Sequence, residues 1–245
     1  MLIINGGLPR SGTVLVGNLV RLMFERRGIR WTRYNPQERR HLPEFLSIVR
    51  SAPADPSLII HTHLIDPQIL RTAFDRAGTH VIWNIRDPRD CLVSLMKLHD
   101  LDLEHGLHAM QVYLSHTDCV WTGSPQAVRL RYEDLRTDLR PAIHAIAQAL
   151  TFDLEDGETE ALITATSIET HRQVMNRLAD DTDPHVVTHR TKTRAMREDQ
   201  VTLINDRHIQ SGARGRWRDE LTPLDQRRAN DALDAWITRF GYDLV

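Results

Sequence analysis

The sequence predicts an α/β fold: three α/β/α layers around a central parallel sheet, with a helical C-terminal part. Two observations predict it. Short apolar runs alternate with longer amphipathic stretches through the first 150 residues, and after that point the pattern becomes helical. Leu2-Ile3-Ile4, Leu58-Ile59-Ile60, Val81-Ile82-Trp83-Asn84-Ile85 and Val128-Arg129-Leu130 read as strands, the third as one buried on both faces. Thr13 to Arg27 sets Leu15, Leu19, Leu22 and Met23 on one helical face. Cys91 to Lys97, His105 to Trp121 and Pro141 to Leu150 show similar periodicity, as do Glu158 to Ala165 and Leu224 to Phe240. Pro53-Ala54-Asp55-Pro56 reads as a loop rather than a linker. Ala179 to Arg218 is polar with no sustained period, and there is no repeat. A single domain over residues 1–245 is expected.

Composition narrows the classes. No apolar run reaches the roughly 18–20 residues of a membrane helix. The first five residues are too short and lack the basic start of a secretory signal, so a cytoplasmic location is expected. Two cysteines, Cys91 and Cys119, exclude a disulfide scaffold. A net charge of -2 argues against a nucleic-acid binder. That balance is uneven: residues 186–218 carry a net +5 and the remainder a net -7. Such a run reads either as a solvated face or as a basic lid over an anion site. Of the 31 basic residues only Lys97 and Lys192 are lysines. Codon bias accounts for an arginine excess, but a planar guanidinium also suits phosphate or sulfate.

Gly6-Gly7-Leu8-Pro9-Arg10-Ser11-Gly12-Thr13 follows the first strand and opens the first helix. Glycines allow the tight turn that points backbone N–H groups at an anion on the helix N-terminus. Gly7 and Gly12 have the spacing of a nucleotide phosphate loop, which makes the expected fold P-loop-NTPase-like. Thr13-Val14 stands where a Walker loop has Lys-Ser/Thr, which disfavours a Mg-ATP kinase. The cation is instead Arg10, inside the loop. Arg86 to Ser94 follows the third run, with Asp87 as N-cap and Pro88 as first helical residue. Arg86 and Ser94 can grip one phosphate from two sides, or Arg86 can pair with Asp90. Gly212 to Arg218 is a further glycine- and arginine-rich element, in which Trp217 can equally be a core anchor.

These loops resemble those of sulfotransferases that use 3′-phosphoadenosine 5′-phosphosulfate (PAPS). Pro9-Arg10-Ser11-Gly12-Thr13 is similar to the family's Pro-Lys/Arg-Ser-Gly-Thr-Thr loop, with Val14 at the second Thr and Leu15 at a Trp. Arg86 and Ser94 fit the family's 3′-phosphate element without a gap. Gly212-Ala213-Arg214-Gly215-Arg216-Trp217-Arg218 resembles its Arg-Lys-Gly-x-x-Gly-x-Trp-Lys element, with Gln210-Ser211 in place of the Arg-Lys pair and Arg214 and Arg216 as extra cations. Tyr132-Glu133-Asp134-Leu135 and Thr166-Ser167-Ile168 resemble segments around the adenine.

The resemblance implies in-line transfer of a sulfuryl group from PAPS to an acceptor hydroxyl or amine, leaving 3′-phosphoadenosine 5′-phosphate (PAP). It implies a cofactor site of Arg10, Ser11, Gly12, Thr13, Val14, Arg86, Ser94, Tyr132, Thr166, Ser167, Gly212, Arg214 and Arg216, with no metal. His61-Thr62-His63-Leu64 resembles a Lys-Thr-His-Leu segment whose His is the general base, which falls on His63, with Arg10 as catalytic cation. Another family branch uses a Glu base, for which Glu38 or Glu44 stands in the corresponding segment. Metal ligation by His61 with His63, or His185 with His189, lacks a third ligand at a telling spacing. A nucleotide-binding module without transfer activity is the non-enzymatic alternative.

Overall fold

A computed structural model describes the chain except residues 37, 179, 181–182, 191–194, 207–211 and 245. Gln210-Ser211, and the basic Lys192, Arg194 and Arg207, therefore lie outside the described residues. Five parallel strands form the central sheet: β1 (Leu2–Gly7), β2 (Trp31–Tyr34), β3 (Ser57–Thr62), β4 (Thr79–Ile85) and β5 (Val128–Arg131). Their order is β2-β3-β1-β4-β5, with Leu2 in register with Leu58 on one side and Thr79 on the other. The order places β1 at the centre, with neighbours reached in opposite directions, so a crevice opens beyond its carboxyl end.

Alternation of side chains on buried strands builds a core on each face. Ile3, Ile59 and Ile82 pack against Leu19, Val20 and Met23 of α1 (Thr13–Arg26) and Ile143 and Ile146 of α7 (Arg140–Ala149). Leu2, Ile4, Ile60 and Trp83 pack on the other face against Phe45 of α2 (Leu42–Ser51) and Ile69 of α3 (Pro67–Phe74). A third cluster joins α4 (Pro88–His99), α5 (Leu103–Gly123), α10 (Trp217–Glu220) and α11 (Pro223–Arg239) through Leu92, Leu114, Trp217 and Leu233. The remaining helices are α6 (Tyr132–Thr137), α8 (Glu158–Ala165) and α9 (Ile168–Arg177). The three-layer α/β/α architecture expected from the sequence is the one found.

Two features depart from the sequence reading. β2 is an additional edge strand, short and only half-buried, which leaves no apolar run to read. The polar stretch after residue 179 contains an antiparallel hairpin, β6 (Val186–Arg190) with β7 (Ala195–Asp199). Polar contacts tie it to the domain. Arg33 Nη1 donates to the Val201 carbonyl at 2.7 Å, Asn18 Nδ2 to the Thr202 carbonyl at 2.9 Å, and Arg197 Nη1 to the Leu178 carbonyl at 3.1 Å.

Gly7 ends β1 at φ +148°, where a Cβ would overlap the backbone of Asn84 on β4. Neither strand can withdraw without breaking the sheet at the loop's origin. Gly7→Ala is expected to destabilise the fold by about 1–3 kcal/mol or more. Calorimetric melting checks this, and an unchanged melting temperature overturns it.

Candidate active site at the carboxyl edge of the sheet

All five strands end on the same edge, so the residues that follow them converge there. The β1–α1 loop turns through Arg10 at φ +69° and Gly12 at φ +89°. Ser11 is fully buried and holds the turn from within: its Oγ donates to the Leu8 carbonyl at 2.6 Å. No side chain caps α1, so its first-turn N–H groups are left to a ligand. Gly12, Thr13 and Val14 line the cavity that opens in front of them, whereas Ser11 does not. That cavity is about 620 Å³, within the range for nucleotide-sized ligands.

Arginine side chains gather on one wall. Arg10 Nε donates to Ser94 Oγ at 3.0 Å, which fixes the guanidinium plane. Arg86 reaches the Arg10 carbonyl at 3.3 Å through Nη1 and the Ala213 carbonyl at 2.8 Å through Nη2. Its Cζ lies 4.3 Å over the Tyr132 ring, and its Nε is buried without a hydrogen-bond partner. Arg216 lines the same wall. Burial, then Arg86 and Arg216, push the Arg10 pKa down from its ordinary value. Like charges held this close, with a buried orphan donor, fit a polyanionic ligand.

Asp90 organises this wall. It is 2% exposed, and Oδ2 accepts from Arg86 at 3.2 Å and from the Gly215 N–H at 2.9 Å. Its Oδ1 accepts from the Trp217 N–H at 3.2 Å. The Arg86–Asp90 pair still leaves Arg86 donors that could meet an anion, since a guanidinium carries five N–H donors and Nε has no partner. Trp217 is a core anchor, 1% exposed.

On the other side of the loop, His63 donates from Nδ1 to the Gly7 carbonyl at 2.8 Å. This hydrogen bond leaves Nε2 as the lone-pair nitrogen. Burial first, then the Arg10 charge, depress its pKa to about 4 despite the Gly7 contact. His61 lies beside it with ring centroids 5.5 Å apart, its Nδ1 3.3 Å from Asn5 Nδ2. Both histidines line the cavity.

Thr166, Tyr132 and Gly212 also line it. Ser167 instead caps α9, accepting from the Thr170 N–H at 3.1 Å. Arg214 turns away: its Nη2 bonds the Glu133 carbonyl and Thr137 Oγ1 of α6. Glu38 pairs with Arg40 at 2.8 Å and Glu44 lies beside Tyr34; neither lines the cavity. Arg136, Tyr113, His99 and Glu198 line it without having been singled out by the sequence. Arg136 stands one helical turn after Tyr132, a spacing that marks it as a neighbour only once α6 is known. Among the described residues, no group of three or more His, Cys, Asp or Glu could hold a metal, and no helix is long and apolar enough to cross a membrane.

The sequence model of the sulfotransferase domain family matches residues 2–241. Solved structures with similar folds include retinol dehydratase in complex with androsterone and the inactive cofactor PAP. That structure is 20% identical with a TM-score of 0.63, over 100% of this chain and 82% of that one. Mouse sulfotransferase SULT7A1 complexed with PAP is 18% identical with a TM-score of 0.64, over 97% and 84%. No curated protein sequence matches the chain. With a sulfotransferase domain spanning nearly its whole length, the chain belongs to the sulfotransferase domain family.

Proposed function

We propose that this protein is a PAPS-dependent sulfotransferase acting on a hydroxyl or amine of a small-molecule acceptor. The observation that carries it is the loop with two occupied sides: Arg10, Arg86 and the uncapped α1 N-terminus on one, His63 Nε2 on the other. The buried orphan Nε of Arg86 and the glycine-lined turn fit the nucleotide. Arg10, Gly12, Thr13 and Val14 would hold its 5′ end, while Arg86, Ser94, Arg216 and Gly212 would hold the 3′-phosphate. Tyr132 and Thr166 would flank the base, and Ser11 and Ser167 serve by fixing the segments that do so. When bound, the nucleotide supplies a sulfuryl group activated for in-line displacement. Arg10 then stabilises charge developing at the leaving oxygen, and the fixed dipoles need no reorganisation. His63 Nε2 accepts the acceptor's proton, a role worth about 10²–10⁴ in rate.

The hairpin and the 212–218 segment would form the lid, a reading supported by His189, Met196, Glu198, Gly212 and Arg216, which line the cavity. Two free thiols, one buried, fit a cytoplasmic location.

Arg86→Ala should weaken PAP binding about 10- to 150-fold, the equivalent of a charge-assisted contact of about 1.5–3 kcal/mol. Isothermal calorimetry on the folded variant checks this, and wild-type affinity overturns the assignment. His63→Ala should abolish transfer of labelled sulfate yet still bind PAP; full activity moves the base elsewhere.

The depressed His63 pKa also has a sign. Its folded value lies below the ordinary histidine value of 6.5, so protons favour the unfolded chain. The stability it contributes is present above pH 6.5 and is lost as pH falls toward about 4. Imidazole ¹⁵N shifts in the PAP-free protein should therefore keep neutral values well below pH 6.5. A His63 midpoint at or above 6.5 contradicts the burial argument.

A further inference from the structure

Two consecutive residues hold Arg86 in place, one by its side chain and one by its backbone. α6 begins directly after β5, so Tyr132 and Glu133 stand in one helical turn with side chains about 100° apart. Tyr132 faces the guanidinium, its ring centroid 4.3 Å from Arg86 Cζ. Glu133 faces the main chain: Oε1 accepts from the Asp87 N–H at 3.1 Å. That contact fixes the plane of the peptide joining Arg86 to Asp87, at the step from β4 into α4.

The other oxygen of Glu133 reaches the far end of the chain. Oε2 accepts from the Tyr242 hydroxyl at 2.9 Å. Burial first, then the Glu133 charge, push the Tyr242 phenol pKa well above its ordinary value, so the hydroxyl keeps its proton and donates. The segment around Tyr242 is pinned at two further points. Arg131 donates to the Phe240 carbonyl and lies 5.0 Å over the Tyr242 ring. Arg89, at the start of α4, donates to the Asp243 carbonyl at 2.8 Å. The Glu133 carbonyl in turn accepts from Arg214. Three segments distant in sequence therefore meet at one half-buried carboxylate residue, and one of them carries Arg86.

Neither Glu133 nor Tyr242 lines the cavity, so their effect on a ligand passes through the groups they hold. Removing the Tyr242 donor leaves a half-buried carboxylate short of a partner, which loosens its hold on the Asp87 N–H. The sign of the effect separates positioning from charge. A carboxylate near an anion site repels the anion, so by charge alone its removal tightens binding. Loss of positioning weakens it.

We infer that Glu133 is a positioning residue for the 3′-phosphate site, and that Tyr242, acting through Glu133, makes the C-terminal segment part of that site. This rests on the sulfuryl-transfer reading, which puts the 3′-phosphate at Arg86.

The test is a double-mutant cycle on PAP affinity, measured by isothermal calorimetry well below the melting temperature of each variant. Glu133→Ala should weaken PAP binding about tenfold, and Tyr242→Phe about threefold or more. Glu133→Gln still accepts from Asp87 and can donate to the Tyr242 oxygen, so it should stay within about twofold of wild type. In an Arg86→Ala background, Glu133→Ala and Tyr242→Phe should each add less than about twofold, because their route to the ligand is gone. Unchanged or tighter binding in both single variants overturns the inference. So does an equal loss with and without Arg86, or a Glu133→Gln variant as weak as Glu133→Ala. Tyr242→Phe deletes one oxygen atom and carries the cycle alone if Glu133→Ala does not fold. A wild-type protein that does not bind PAP overturns the transfer reading itself, and this inference with it.

Discussion

The buried carboxylate of Asp90 is the interaction on which the site depends. A carboxylate at 2% exposure is tolerable only if its oxygens are met by donors, and three converge on it. One comes from the end of β4, through Arg86. The other two are backbone N–H groups of Gly215 and Trp217, more than a hundred residues away in sequence. The ion pair therefore does more than neutralise a charge: it brings the C-terminal segment against the β1–α1 loop. Arg89, one residue before it, completes the junction. It lies 4.1 Å over the Trp217 ring and donates to Asp87, Asn230 and the Asp243 carbonyl. The first turn of α4 is thus both a wall of the cavity and the joint between the sheet and the C-terminal helices.

That dual use explains which parts of the molecule could be read in advance. β1, β3 and β4 are legible because strands buried on both faces must be continuous apolar runs, and β5, an edge strand, because Val128 and Leu130 alternate with arginines. Once their order is parallel, Arg10, His63, Arg86 and Tyr132 fall on one edge without further information, as each follows a strand end. β2 is illegible for the converse reason, being a half-exposed edge strand of four residues. The hairpin hides because His189 and Glu198 look into the cavity on one face and Arg197 bonds Leu178 on the other, so neither carries an apolar period. Glu198 and Arg136 share that obscurity: only tertiary placement tells them from solvated charges.

Charge counting illustrates the same limit. The net +5 of residues 186–218 points to an anion site, but its described arginines divide their duties. Arg197 anchors the hairpin, Arg214 is bound to α6, and Arg218 lies 4.4 Å over the Trp217 ring. Arg216 lines the cavity, and Glu220, its partner at 2.8 Å, is shared with Lys97. The field at the loop therefore arises from Arg10, Arg86, Arg136 and Arg216, drawn from four separate stretches of chain. A solvated basic patch is screened within about 10 Å. Guanidiniums held at the mouth of an uncapped helix in a low-dielectric crevice are screened far less. Burial first, then the charges of Arg86 and Arg216, lower the Arg10 pKa, and an anion between them would offset that repulsion. A compact polyanion is the ligand that four such positioned charges would favour, in a protein whose overall balance is slightly negative.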